Sequence, residues 1–310
     1  MSFKNIIGNN NAKKILTKSL DNNTILHSYM FVGNDGIGKK LTAMQFAKMI
    51  LCEDYNSGEE CNRCKSCIEF DSNNNPDFNI IEPDGKIIKI EQIRELQTKI
   101  IEKPIISSKK VYIIDNAHLM TKEAQNCLLK TLEEPPEYIV IILIVSNESR
   151  ILTTIKSRCM KVNFENINDD EVRKFLQNEC GVENISSSIL RLCNGSIGRC
   201  FQIKERLDDY IVIEKALSNF NVSITKFISS LEILYKGKDN INDYLEYINV
   251  ILYEYAIKNK AACIKFINSI KIVETTKERL LSNSNYDMCI DYLLFNIWEE
   301  INEENSWSKV

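Results

Sequence analysis

Ten residues, Phe31-Val32-Gly33-Asn34-Asp35-Gly36-Ile37-Gly38-Lys39-Lys40, constrain this chain more than any other stretch. An apolar run over 29–32 leads into them and a helical pattern over 41–51 leaves them. Gly33, Gly36 and Gly38 let the backbone curl until its N–H groups point inward at phosphate oxygens. The helix that follows adds the positive end of its dipole, and Lys39 reaches the outer phosphates. One residue departs from this pattern. A working loop places Ser or Thr after the lysine, because that hydroxyl ligates Mg²⁺. Lys40 has donors only and carries positive charge. The loop therefore reads as a nucleotide site whose metal ligand has been removed.

The flanking periodicity extends the constraint. Residues 4–26 read as one or two short helices with Ile6, Ile7, Ala12, Ile15, Leu16 and Leu20 as the apolar set. Short β-branched runs at 78–81, 111–114 and 162–164 read as strands. Residues 139–145 are seven consecutive apolar residues, the mark of a central parallel strand covered on both faces. Helical patterns over 90–101 and 121–132 lie between them, the second stopped by Pro135-Pro136. Strands alternating with helices predict an α/β domain with a parallel sheet over 1–166. A small helical unit over 167–208 follows, then an all-α domain over 209–310 with apolar faces such as Ile241, Leu245, Ile248 and Leu252. That last region shows no catalytic constellation and is expected to serve assembly.

Composition narrows the class. The net charge of −4 excludes a chain that attracts nucleic acid over its whole surface, so any DNA contact is local or made through partners. No apolar run approaches the roughly 20 residues of a membrane span, and residues 1–5 lack the apolar region of a signal peptide. The expectation is a cytoplasmic protein with no membrane contact. Eleven cysteines then argue for thiols or metal rather than disulfides.

Two constellations carry chemistry. Asp115 ends the 111–114 strand, where a second acidic residue holds Mg²⁺ in nucleotide hydrolases. The next residue in such enzymes is often Glu, the base that orients water; Asn116 cannot accept a proton there. Cys52, Cys61, Cys64 and Cys67, spaced C-x₈-C-x₂-C-x₂-C, suit closed tetrahedral coordination of a structural Zn²⁺. The polar insert that holds them has too little apolar surface for a core, and metal would supply its folding energy. The remaining seven cysteines lie at mostly apolar positions and read as core.

The chain resembles the bacterial clamp-loader subunits of the AAA+ superfamily. The resemblance rests on 27–33 (His-Ser-Tyr-Met-Phe-Val-Gly), the phosphate loop, the four-cysteine module and 111–118 (Val-Tyr-Ile-Ile-Asp-Asn-Ala-His). It rests further on 126–137 (Asn-Cys-Leu-Leu-Lys-Thr-Leu-Glu-Glu-Pro-Pro-Glu) and Ser157-Arg158-Cys159. A weaker match at 195–199 (Gly-Ser-Ile-Gly-Arg) resembles the family's second sensor, and 210–310 matches only in size and helical character. The resemblance implies a P-loop AAA+ domain, a helical lid and a helical collar in a pentameric loader. That loader opens a ring-shaped sliding clamp and places it on primed DNA with motor and delta subunits. It implies that Arg158 acts on the ATP site of a neighbouring motor subunit. The departures at Lys40 and Asn116 match the family's stator subunit rather than its ATPase motor, which would be the alternative. The absence of a long basic or Pro-rich extension beyond Val310 points the same way. By this resemblance Gly33, Gly36, Gly38, Lys39 and Asp115 form a degenerate nucleotide site of doubtful ATP binding. Arg199 would face that degenerate pocket, and its role is open.

Overall fold

A computed structural model describes residues 3, 6–56, 58–182 and 185–302. Residues 4 and 5 of the expected 4–26 helical stretch, and 303–310 of the expected last domain, lie outside these. The chain divides into two compact units. The first runs to Val172 and includes Gly195–Gly198; the second holds Arg173–Asn194 and the chain from Arg199 onward.

In the first unit the elements run α1 (Asn10–Asp21), β1 (Ser28–Val32), α2 (Lys39–Leu51), α3 (Lys65–Asp71), β2 (Phe78–Ile81) and α4 (Ile90–Ile100). They continue with β3 (Lys110–Ile114), α5 (Lys122–Glu133), β4 (Ile139–Val145), α6 (Thr153–Lys156) and β5 (Met160–Asn163). The five strands form one parallel sheet in the order β2-β3-β4-β1-β5. β4 lies between β3 and β1, and all seven of its residues are buried. Its side chains alternate between two cores. Val140, Ile142 and Ile144 pack with Phe31, Phe46 and Leu16 on one face. Ile139, Ile141, Leu143 and Val145 pack with Ile93, Leu96 and Leu128 on the other. Two faces covered by helices explain why this strand reads as an unbroken apolar run.

α3 and α5 begin where a side chain satisfies a free N–H group. Thr121 caps α5 by accepting the Ala124 N–H at 3.2 Å, and Glu123 lies in the first turn. α1 buries Ala12, Leu16 and Leu20 at helical spacing. Ile15, in the expected apolar set, and Leu41, the first residue of the expected 41–51 helical pattern, are instead about two-fifths exposed, because each falls one position off its helix's buried stripe.

α7 (Asp169–Asn178) runs out of the first unit. The second unit is helical: α8 (Ser187–Cys193), α9 (Ile197–Glu205), α10 (Leu207–Leu217), α11 (Ile224–Ser230), α12 (Ile233–Lys236), α13 (Ile241–Lys258), α14 (Cys263–Leu281) and α15 (Tyr286–Asn302). α9 starts at the boundary, with Gly198 in the first unit and Arg199 in the second. α13 is central to this unit, burying Ile241, Tyr244, Leu245, Ile248, Ile251 and Leu252. Tyr247 meets Tyr210 edge-on at 4.8 Å between ring centres. No helix among the described residues is long and apolar enough to cross a membrane.

Candidate functional site

The register of the sheet assembles the site. Val32 pairs with Val145, Ile114 with Leu143, and Ile81 with Ile114, so four strands end close to one level. The residues that follow them are Gly33, Ser146, Asp115 and Glu82. Ligands of open parallel sheets bind at this carboxyl edge. Backbone conformation explains the glycines. Gly36 has φ +73°, and a Cβ there would collide with Ser196 Oγ and lie 3.2 Å from Gly198 Cα. The Gly198 N–H donates to the Gly36 carbonyl at 3.0 Å. At Gly33 a Cβ would sit 2.5 Å from the Phe164 carbonyl oxygen. Gly38, at φ +91°, caps α2.

Lys39 is buried and turned onto its own loop, donating to the Gly33 and Asn34 carbonyls at 2.5 Å each and to Ser146 Oγ at 3.1 Å. Burial pulls its pKa below the usual lysine value, against the pull of Asp35 and Asp115. Lys40 projects elsewhere. Its Nζ stands 2.9 Å from Asp115 Oδ2 and 2.5 Å from Glu82 Oε1. Partial burial lowers its pKa, but Glu82 and Asp115 outweigh burial and leave the ammonium above its usual value. Asp115 Oδ1 accepts the Asn116 N–H at 2.9 Å, so a donor meets each carboxylate oxygen. Asn116 adopts φ 52°, ψ 44°, a left-handed conformation that asparagine tolerates better than most residues. His118 Nδ1 accepts the Ser146 N–H at 3.4 Å. Burial holds the His118 pKa down, in keeping with an acceptor ring.

Gly33, Gly36, Gly38, Lys39, Lys40, Asp115 and Asn116 thus converge at one edge. Three partners were not anticipated: Asp35, Glu82 and Ser146, with Asp35 accepting from Ser146 Oγ. Glu82 and Ser146 each directly follow an apolar strand, the same signal that marks Asp115.

Arg158 lies apart from this edge. Its carbonyl accepts from Ser28 Oγ at 2.7 Å, at the start of β1, whereas the phosphate loop follows the end of that strand. Five residues at about 3.3 Å each separate the two by about 16 Å. The guanidinium is partly exposed, 2.8 Å from Glu133 Oε1 and 2.9 Å from the Thr154 carbonyl. In the second unit, Arg199 forms a two-pronged ion pair with Glu246 at 3.0 and 2.6 Å.

The cysteine module closes on itself. The sulfurs of Cys52, Cys61, Cys64 and Cys67 all lie within 4.8 Å of one another. Tetrahedral thiolates about 2.3 Å from zinc have sulfurs about 3.8 Å apart, so the four can hold a metal with small adjustments. Backbone N–H groups of Cys61, Cys64 and Cys67 donate to the sulfurs of Cys52, Cys61 and Cys64 at 3.3, 3.3 and 3.4 Å. Donors aimed at sulfur favour the thiolate that a metal requires. The backbone N–H of Arg63 is the main cause holding the Cys61 thiol at about 6, while burial pushes Cys52 and Cys67 up. Around them polar contacts stand in for a core. Buried Lys48 reaches Asp71 at 2.7 Å and Asn62 at 2.6 Å, and Gln45 donates to buried Glu60 at 2.7 Å.

A parallel sheet, a phosphate loop on its carboxyl edge after β1, an acidic residue following β3 with β4 between the two, and a following helical region define the AAA+ class of P-loop proteins. The chain belongs to the clamp-loader family of DNA polymerase III: the family model described as DNA polymerase III, delta subunit, matches residues 8–168. Among curated relatives, subunit gamma/tau of Mycoplasma pneumoniae is 32% identical over 233 residues, 74% of this chain and 33% of that protein. Subunit delta' of Bacillus subtilis is 39% identical over 152 residues, 49% of this chain and 46% of that protein. The chain therefore spans a third to a half of the length of these relatives. A gamma subunit-related protein from Thermotoga maritima shares the fold, with a TM-score of 0.51 at 16% identity over 93% of this chain and 99% of that one.

Proposed function

We propose that this chain is the delta-prime type of clamp-loader subunit, a non-hydrolysing AAA+ stator that activates a neighbouring motor subunit in trans. The observation that carries this reading is the Lys40 ammonium on Asp115, in the place where a motor subunit would hold Mg²⁺. Asn116 supplies no base beside it. Phosphoryl transfer needs a metal clamp and an oriented water, and this edge is built for neither. Residues 1–166 are the AAA+ domain, 167–208 the lid and 209–310 the collar through which the subunit assembles. Its partners are gamma/tau-type motor and delta subunits, with the sliding clamp and primed DNA engaged through the cytoplasmic complex.

Arg158 is the residue through which a stator contributes to catalysis. With its carbonyl anchored at the start of β1, about 16 Å along that strand from its own phosphate loop, Arg158 is poorly placed to serve that loop. It is free to serve another chain's γ-phosphate, where a fixed arginine lowers the barrier by orders of magnitude in rate. Cys52, Cys61, Cys64 and Cys67 hold one structural Zn²⁺, and four protein ligands leave it no open position for catalysis.

The second reading is an active gamma/tau-type motor, favoured by the retained Lys39 and by the gamma/tau relative matching 74% of the chain. Steady-state ATPase of the purified chain separates the two. The stator shows no Mg²⁺-dependent turnover; a turnover abolished by Lys39→Ala establishes the motor.

A further inference from the structure

The fold family implies a Mg²⁺ ion carried with the nucleotide between the phosphate loop and the acidic residue that follows β3. The residues present do not fit that ion. The hydroxyl that would ligate it is replaced by Lys40, whose ammonium lies 2.9 Å from one oxygen of Asp115. The other oxygen is taken by the Asn116 N–H at 2.9 Å. A divalent ion entering here would meet a fixed positive charge and no oxygen of Asp115 without a donor.

The two departures compensate each other in charge. Mg²⁺ with a glutamate at the base position sums to one positive charge. Lys40 with the neutral Asn116 also sums to one. The loop's backbone recognition elements stand, positive-φ Gly36 and Gly38 and the N-terminus of the 13-residue α2, while Lys39 gives its three donors to the loop carbonyls and Ser146. An ammonium has three N–H donors. Glu82 and Asp115 account for two at 2.5 and 2.9 Å, and with the Lys40 side chain 45% exposed the third is open to a ligand.

We propose that this loop takes the polyphosphate of a nucleotide without a divalent metal, with the Lys40 ammonium as the built-in cation. Lys40 then acts as a binding residue, positioned by Glu82 and Asp115, and the bound nucleotide is held without being activated for hydrolysis. This inference rests on reading the loop as a degenerate nucleotide site, and it adds a specific ligand state to it.

The test is a titration of the full chain with a fluorescent ADP analogue, once in EDTA and once in excess Mg²⁺. The expected result is binding in both buffers with dissociation constants within about twofold of each other. Lys40→Thr restores the metal-ligating hydroxyl and removes the fixed charge. It should weaken binding in EDTA by about tenfold, the loss of one charge-assisted hydrogen bond, with recovery on adding Mg²⁺. Lys40→Met should weaken binding in EDTA equally and gain nothing from Mg²⁺. Melting temperature and zinc content report whether each variant is folded. Wild-type binding that requires Mg²⁺ overturns the proposal, as does wild-type protein that binds in neither buffer, or folded variants that match wild type in EDTA. Absence of binding leaves the stator reading intact, because a scaffold needs no nucleotide. Mg²⁺-dependent turnover by the wild-type chain defeats that reading instead.

Discussion

Ser28 Oγ donates a 2.7 Å hydrogen bond to the carbonyl of Arg158, 130 residues further along the chain, and so ties the arginine to the amino end of β1. The backbone at Arg158 is held by this bond and by the α6 turn, while its partly exposed side chain pairs with Glu133 and donates to the Thr154 carbonyl. Exposed pairs of this kind contribute about 0–1 kcal/mol. Arg158→Ala should therefore leave the melting temperature and zinc content of the isolated chain nearly unchanged. It should permit assembly with motor subunits and lower, without abolishing, the DNA-stimulated ATPase of the complex. Arg158→Lys should not rescue, because the planar fork is lost. A melt lowered by several degrees, or wild-type ATPase in the assembled variant complex, contradicts the finger.

Protein purified without added metal should contain about one zinc per chain by elemental analysis. Cys64→Ser removes a sulfur that also caps α3, so it should lower both the metal content and the melting temperature. Freshly reduced wild-type protein lacking zinc would end the structural-zinc reading.

With Mg²⁺ and ATP the isolated chain should show no hydrolysis above buffer, and Lys39→Ala should leave that background unchanged. Release of phosphate at catalytic rates, sensitive to Lys39→Ala, would instead identify a motor.

A pH effect is expected from the second unit. Glu254 is buried and accepts Ser187 Oγ at 2.8 Å, with Lys258 Nζ and Arg191 Nε each 3.1 Å away. Burial alone would raise its pKa; Ser187, Lys258 and Arg191 outweigh burial and hold it below the usual carboxylate value. The unfolded state then takes up the proton first on acidification. The stabilisation is full above the unfolded value of about 4.3 and is lost as pH falls through the lower folded value. Glu254→Gln should cost about 1–2 kcal/mol at neutral pH, and denaturation profiles of variant and wild type should converge in acid. A constant gap down to acid would show that shape, not charge, matters there.

Much of the architecture is legible along the chain. β4 announces itself because both of its faces are covered, and the phosphate loop because its glycines sit at fixed offsets between a strand and a helix. Asp115 and the four cysteines are visible by position and spacing. The ion bridge at Lys40 is not, since Glu82 lies 42 residues away and joins only through the register of β2 with β3. The partner of Arg199 is hidden for the same reason: Glu246 follows it by 47 residues, and no local pattern links α9 to α13. Ile15 and Leu41 mark the limit of periodicity, which finds a helix's apolar side but blurs the edge of its buried stripe.

α2 carries the phosphate loop at one end and Cys52 at the other, with buried Lys48 near the far end gripped by Asn62 of the cysteine insert and Asp71 at the end of α3. Its 13 residues span about 20 Å of stiff rod. The cysteine module is in effect the rear mount of that rod, and the loop is its muzzle. The contacts that bring Cys52, Cys61, Cys64 and Cys67 together are therefore contacts on the mount of the loop, one stiff rod away from the N–H groups they support.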